Sequence, residues 1–421
     1  MRRVSFLPLL LVASCSQAPA GTPPPAGAVA NATAAAAPAS PVPASEATVP
    51  PEPFANAAQN FDAARKALLG GYYRDSLTED DLYRAAVRGM VEYADPSMRQ
   101  WNKMLAPAEV AQLRLDLQGE LVGIGVKIDF DPATGYIDVK GTIPGSPAEH
   151  AGIAPPDKIV TVDGKLYKGR SMTDVVGDIR GKAGDTVTLS ILRGASLVTV
   201  PIVRAKVAYD IVQDLVVADD VGYVRIPSFN AKTPGSLHDA LTDLAGKHVR
   251  AIVLDLRANP GGSFDDCVAA AGELAPAGAT IASVNKRGKV EPIAPKAGTP
   301  APMLLDVPLA VLVDHDTASS AELLAAAVQE LRHATLVGAR THGKWSVQRL
   351  EDLPNGYAIK FTVGLFASPS GKSYDGTGLG PDVEVDAASD AVQRALAESD
   401  PKARLAEDVQ LRTAVAVLAR H

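Results

Sequence analysis

Between residues 207 and 388, short apolar runs alternate with helix-forming stretches, the pattern of an α/β fold in which helices cover a sheet. V-G-Y-V-R-I at 221–226, A-I-V-L-D-L-R at 251–257 and L-A-V-L-V-D at 309–314 read as strands. Thr233 to Ala245 and Ala321 to Leu331 read as helices, the second rich in the strong formers Ala, Leu and Glu. No internal repeat interrupts this order.

The run at 309–314 leads into D-T-A-S-S-A-E-L at 316–323, so Ser319 is expected where a strand passes into a helix N-terminus and local N–H groups face outward. A second segment, T-H-G-K-W-S-V-Q at 341–348, carries Lys344 and Gln348. A serine hydroxyl is a poor nucleophile until a base takes its proton, and a lysine amine serves as that base only when neutral. The reference lysine pKa of about 10.4 leaves well under ~0.1% neutral at pH 7, so a water-poor pocket must depress it. Gln348 can hold the amine in line. Taken alone, Lys344 would be a solvated surface charge.

A histidine mechanism is the competing reading. D-H-D at 314–316 and His342 lie near the same segments, and a triad is defined by geometry, so Ser319, His315 and an aspartate form an alternative. Neighbours on an extended chain point apart, which disfavours a triad built within D-H-D. His238 and His248 fit no ligand spacing, and Asp265 and Asp266 lack a companion cluster. With no phosphate loop or dinucleotide fingerprint, no metal or cofactor is expected.

D-L-R-A-N-P-G-G at 255–262 adds a third element. Glycines let a backbone approach a reacting carbonyl closely, and N–H groups aimed at its developing negative charge stabilise it by about 3 kcal/mol each. Gly261 or Gly262 is expected to supply one such donor and the amide of Ser320 the other. Alone, the segment would be a strand-to-helix turn.

These segments resemble one family. T-A-S-S-A-E is similar to the S-A-S-A-S-E segment of the C-terminal processing peptidases, or tail-specific proteases, G-K-W-S-V-Q to their G-K-G-x-V-Q, and L-R-A-N-P-G-G to their L-R-x-N-P-G-G. The resemblance implies a crotonase-like ββα spiral core, with Ser319 as nucleophile, Lys344 as general base and Gln348 orienting the lysine. T-V-G-L-F-A-S-P-S-G-K-S-Y-D-G-T-G-L-G-P-D-V-E-V at 362–385 is similar to the end of the family core. Three departures stand out: Trp345 for the usual glycine, Asp314 for a common asparagine, and Ser320-Ala321 for Ala-Ser. A bulky Trp345 beside the base would narrow the pocket, stack on substrate or mark a degenerate enzyme, so a catalytically inactive peptide-binding lipoprotein is the rival reading.

Residues 118–206 resemble the PDZ domain that this family carries. V-G-I-G-V-K-I at 122–128 is similar to the loop and strand that capture a terminal carboxylate on backbone N–H groups, implicating Val122, Gly123, Ile124 and Gly125. I-P-G-S-P-A-E-H-A-G-I at 143–153 reads as a turn and short helix. T-D-V-V-G-D-I-R-G at 173–181 reads as the second helix, with Val175, Val176 and Ile179 lining the groove, and T-V-T-L-S-I-L-R at 186–193 as a closing strand. A-P-P-D at 154–157 departs from the family's glycine before the aspartate, and Pro156 forbids positive φ there. Residues 54–117 carry a helical pattern, broken at Gly70-Gly71 and capped anew at Thr78, and D-L-Y-R-A-A-V-R-G-M-V-E-Y-A-D-P-S at 81–97 resembles the family's entry segment, which precedes its PDZ domain and can serve in dimerisation.

The N-terminus reads as an address. Arg2 and Arg3, the apolar Phe6 to Val12, and V-A-S-C at 12–15 resemble a bacterial lipoprotein signal in which Cys15 receives the lipid; an ordinary cleaved signal peptide is the alternative. A Pro/Ala tract at 16–53 has almost no bulky apolar residues or charge and reads as a tether. The chain has 421 residues, 47% of them hydrophobic, enough for two or three domains with real cores. It has two cysteines, so a lipidated Cys15 leaves Cys267 without a partner and no disulfide framework follows. A net charge of −7 and 5% aromatics give no nucleic-acid footprint. The whole pattern implies a serine endopeptidase on the periplasmic side of a bacterial envelope, lipid-anchored, acting on protein or peptide substrates with free C-termini. A homodimer through the N-terminal helices and those of residues 389–421, and an adaptor lipoprotein, are further expectations.

Overall fold

The computed structural model describes residues 55–420 apart from 131–132, 171, 208–210, 219, 297–303, 389–390, 393–394, 397 and 399. The signal at 1–15 with Cys15, and the tether at 16–53, lie outside the described residues. The chain divides into two compact units, the first ending at Met90.

The first unit is built on α1 (Ala57–Gly71) and α2 (Glu79–Tyr93). α1 stops at the Gly70-Gly71 pair, where backbone entropy opposes further helix. Thr78 Oγ1 accepts the N–H of Asp81 at 3.1 Å, and three acids fill the first turn of α2, where the helix dipole favours negative charge. Arg65 bridges Asp62 and Glu79, and the Phe61 and Tyr83 rings lie 6.0 Å apart.

The second unit opens with a 3₁₀ turn (Pro96–Met98), β1 (Lys103–Leu105) and α3 (Pro107–Leu117), so 54–117 is not helical throughout as its pattern suggested. β1 pairs antiparallel with a strand some 250 residues later, Lys103 opposite Lys360, and that long-range ladder overrides local helical periodicity.

Next come β2 (Leu121–Gly123), β3 (Val126–Phe130), β4 (Ile137–Thr142), α4 (Pro147–His150), β5 (Lys158–Val162), α5 (Met172–Ile179), β6 (Thr186–Arg193), β7 (Ser196–Val203) and β8 (Ala205–Val207). β3 to β7 form an antiparallel sheet in sequence order, and β2 pairs with β8. Inward residues of β6, Val187, Leu189 and Ile191, alternate with more exposed ones and pack with Ile124, Ile137 and Ile159. The expected closing strand, β6, is interior to this sheet, and β7 forms the edge. Pro155-Pro156 is a cis peptide, and Asp157 behind it is clamped by Arg193 at 2.7 Å.

The core adds β9 (Gln213–Ala218), β10 (Val221–Arg225), α6 (Thr233–Gly246), β11 (Ala251–Asp255), α7 (Phe264–Leu274), β12 (Ala282–Lys286), β13 (Lys289–Ile293), β14 (Leu309–Val313), α8 (Ser320–Arg332), β15 (Thr335–Gly338), β16 (Ser346–Asp352), β17 (Ala358–Ala367) and β18 (Val383–Glu384). One six-stranded sheet runs β18-β15-β14-β11-β10-β9, parallel except for β9. β10, β11 and β14 are buried on both faces, which explains their unbroken apolar runs. On one face Val224, Leu254 and Val311 meet α6, α7 and α8; each such aliphatic side chain contributes about 1.5–3 kcal/mol by leaving water.

On the other face Tyr223, Val253 and Leu312 meet Leu411, Ala414 and Leu418 of the last helix. Two C-terminal helices are described in full, α9 (Pro401–Glu407) and α10 (Val409–Leu418). A second, antiparallel sheet holds β1, β17, β12 and β13, with β16 also on β17.

Candidate active site

β14 ends in a turn built on Asp314. Its carboxylate accepts N–H groups from Ala258 and Thr317 at 3.0 and 2.9 Å, while the Thr317 hydroxyl donates to the Leu256 carbonyl at 2.9 Å. Ala318 N–H then donates to the Asn259 carbonyl at 2.9 Å, and the chain reaches Ser319 with φ 57° and ψ −121°. A positive φ on a residue with a Cβ is strained by about 1–3 kcal/mol and persists only where its surroundings over-determine it. Ser319 is 6% exposed and directly precedes α8.

Glu322, one turn into α8, does the over-determining. Its fully buried carboxylate accepts N–H groups from Ser319 at 2.8 Å, Gly343 at 2.7 Å and Lys344 at 2.9 Å, together with the Thr341 hydroxyl. A buried carboxylate is tolerated only when its lone pairs are filled in this way. The carboxylate thereby joins the serine segment to the lysine segment. The sequence reading did not single out Glu322, although its place three residues after a serine at a helix start is a capping-box signal.

Burial lowers the Lys344 amine from the ordinary lysine value to about 8; the nearby Lys360 charge adds to the fall and Glu322 opposes it. At that value about one amine in ten is neutral at pH 7. Lys344 Nζ lies 4.5 Å from the centroid of the Trp101 indole, and no hydrogen bond joins it to Ser319 Oγ in this conformation. The Gln348 amide donates to Ser346, to the hydroxyl at 2.8 Å and the carbonyl at 3.2 Å, and not to the lysine.

Trp345, the next residue, points away from the pocket into the core. It has no exposed surface and packs against Phe366 and Tyr374 with ring centroids 4.9 and 5.1 Å apart. Just before β16, Lys344 and Trp345 thus take different surroundings, the amine against the Trp101 ring and the indole against Phe366 and Tyr374. The expected intrusion of this ring on the base is therefore corrected.

The 255–262 loop lies against the serine. A Cβ on Gly261, at φ 99°, would come within 2.8 Å of Ser319 Cβ, so only glycine fits. Gly261 N–H donates to Asn259 Oδ1 at 2.8 Å and is thus already held. Gly262, at φ 133°, follows, and Ser320 Oγ donates to its carbonyl at 3.2 Å. Arg257 serves structure: fully buried, it pairs with Asp255 at 2.6 Å and with Asp408 at 2.7 Å, fixing the loop to the start of α10.

The histidines fall outside this arrangement. His315 is exposed and lines a cavity with Asp386, Val392 and Gln410, and exposed His342 stands edge-on to Trp101 at 5.9 Å.

In the PDZ-like region, Val122, Gly123, Ile124 and Gly125 are buried at the turn from β2 to β3. The Ile124 and Gly125 carbonyls accept N–H groups of Ala148 and Ile143 at 2.7 and 2.8 Å, and Gly125, at φ 74°, sits where a Cβ would strike Ser146. Val175 and Ile179 belong to the core of this sheet, with Val176 partly buried beside them, so Val175 and Ile179 are not free to line a groove as expected.

Residues 220–385 match peptidase family S41, and residues 139–193 match a PDZ domain. A CtpA-like serine protease of Staphylococcus aureus is 33% identical over 322 residues, covering 76% of this chain. The match spans 63% of that relative's length. A carboxyl-terminal-processing protease of Picosynechococcus is 32% identical over 329 residues, 77% of each chain. The solved structure of an S41 protease from Bacteroides fragilis shares the fold, with a TM-score of 0.53 at 18% identity over 77% of this chain and 87% of that one. The chain therefore belongs to peptidase family S41, among the carboxyl-terminal-processing proteases.

Proposed function

We propose that this chain is a serine endopeptidase that cleaves protein or peptide substrates near their C-termini by a Ser319/Lys344 dyad. The observation that carries the reading is the Glu322 carboxylate holding Ser319 N–H at 2.8 Å and Lys344 N–H at 2.9 Å, around an amine whose pKa is lowered to about 8. Ser319 Oγ attacks the scissile carbonyl carbon and its proton passes to Lys344 Nζ. The C–N bond then breaks and the leaving amine takes that proton, leaving an ester that water hydrolyses after a second proton transfer through the lysine. Gly262 and Ser320 N–H groups meet the oxyanion, and Gln348, whose amide donates to Ser346 in this conformation, turns to orient the lysine when substrate is bound.

A crotonase-like spiral for the core, capture of a substrate's terminal carboxylate at Val122–Gly125, lipidation of Cys15 and a place on the periplasmic side of the envelope complete the reading. A homodimer would use the N-terminal helices, because the apolar face of α10 is already covered by the six-stranded sheet. An adaptor lipoprotein that delivers substrates fits the same picture. The rival, an inactive peptide-binding lipoprotein, rested on Trp345, whose burial removes that support.

A serine-directed active-site probe tests the conclusion. Wild type should label on Ser319 and cleave a peptide with a free C-terminus; Ser319→Ala should do neither, and Lys344→Ala should label at least a hundredfold more slowly. Full labelling of Lys344→Ala would remove the lysine from the mechanism.

A further inference from the structure

Trp101 lies far along the sequence from every segment that resembles a catalytic motif, yet its indole lies against the reacting lysine's headgroup, its ring centroid 4.5 Å from Nζ. It is fixed from both sides. The N–H groups of Trp101 and Asn102 donate to the Met98 carbonyl at 2.8 and 2.9 Å. Buried Asn102 accepts from the N–H of Thr362 at 2.8 Å and its hydroxyl at 3.1 Å, and β1 then joins β17. The ring is therefore a built part of the pocket wall.

An aromatic face attracts an ammonium and has no such hold on a neutral amine. We propose that Trp101 is a positioning residue for Lys344: its π face seats the charged headgroup, and loss of the charge frees the amine to turn toward Ser319. This rests on the Ser/Lys reading given above. Other ionisable groups lie around the amine and the indole. Glu322 of α8 favours the charged amine, Lys360 of β17 disfavours it, Lys103 of β1 lies opposite Lys360 in the ladder, and His342 meets the edge of the indole. Trp101 thus acts in two opposed ways, excluding water, which disfavours the charge, and presenting a π face, which favours it.

Two substitutions separate these actions. Trp101→Leu keeps an apolar cover and removes the face, so the amine should lose its proton at lower pH; Trp101→Ala admits water, so it should lose its proton at higher pH. Trp101→Phe keeps a face and should resemble wild type. The titration is read in two ways: the acid limb of kcat/KM on a peptide substrate, and the pH midpoint for modification of Lys344 by a small amine-reactive reagent, followed by mass spectrometry. The midpoint should fall by about 0.5 to 1 unit in Trp101→Leu and rise in Trp101→Ala. If Leu and Phe variants titrate together, or the Leu variant shifts upward with Ala, Trp101 is only a wall and the proposal fails. Should Lys344→Ala remain active while the modification midpoints shift as expected, the seat stands and the dyad falls. Should Lys344→Ala be inactive while the midpoints stay unchanged, the dyad stands and the seat falls. Circular dichroism on each variant confirms that the folds compared are intact.

Discussion

Glu322 accepts the backbone N–H of Lys344 at 2.9 Å across 22 residues of sequence, so an acid on α8 sets where the amine begins its reach. Glu322→Gln retains the volume but replaces one acceptor oxygen with a donor, turning an attraction into a clash of N–H groups. Each donor left without a partner costs about 1–3 kcal/mol. The variant should melt at lower temperature and lose at least a hundredfold in kcat; unchanged probe labelling of Ser319 would contradict this.

The pH dependence follows from the lysine. The amine must be neutral to accept a proton, so kcat/KM should rise with pH through about 8 and flatten above it. The sign for stability is the same. Between the folded value and the higher unfolded one, the unfolded chain binds more protons, so stability increases with pH across that window. Lys344→Met removes the buried charge and should stabilise the protein at neutral pH by about 1–3 kcal/mol while abolishing turnover, as chemical denaturation and a peptide assay would show.

Gly261→Ala places a Cβ within 2.8 Å of Ser319 Cβ and 2.9 Å of the Ala318 carbonyl, at a φ of 99°. The loop must shift, and misplacing a nucleophile by about 1 Å costs on the order of a hundredfold in rate. Labelling of Ser319 should slow by that factor with the secondary structure retained. Wild-type labelling would show that the loop can yield without moving the serine.

Asp408→Ala leaves Arg257, wholly buried, with only part of its partnership. Breaking a buried ion pair on one side costs about 3–5 kcal/mol. Hydrogen exchange should speed up in α10 and in the 257–262 loop together; acceleration in α10 alone would mean that the two are not coupled.

What the sequence disclosed and what it withheld divide by distance along the chain. The strand, turn and helix around Ser319 were legible because the apolar run, the serine and the helix formers are contiguous. β1 was hidden because a three-residue strand in a helical pattern exists only through pairing with β17. Glu322 stood inside a motif already noticed, but its role depends on Thr341, Gly343 and Lys344 folding back onto it. Trp101 gave no local signal at all. Val175 and Ile179 show the limit of periodicity, which marks an apolar face without saying whether core or ligand covers it.

The left-handed backbone of Ser319 has a consequence for the life history of the chain. An unfolded segment has little reason to hold φ at 57°, and Glu322 stabilises that turn only after residues 341–344 have come into place. A chain in which residues 341–344 have not yet come into place therefore lacks the contacts that hold this serine in its strained turn.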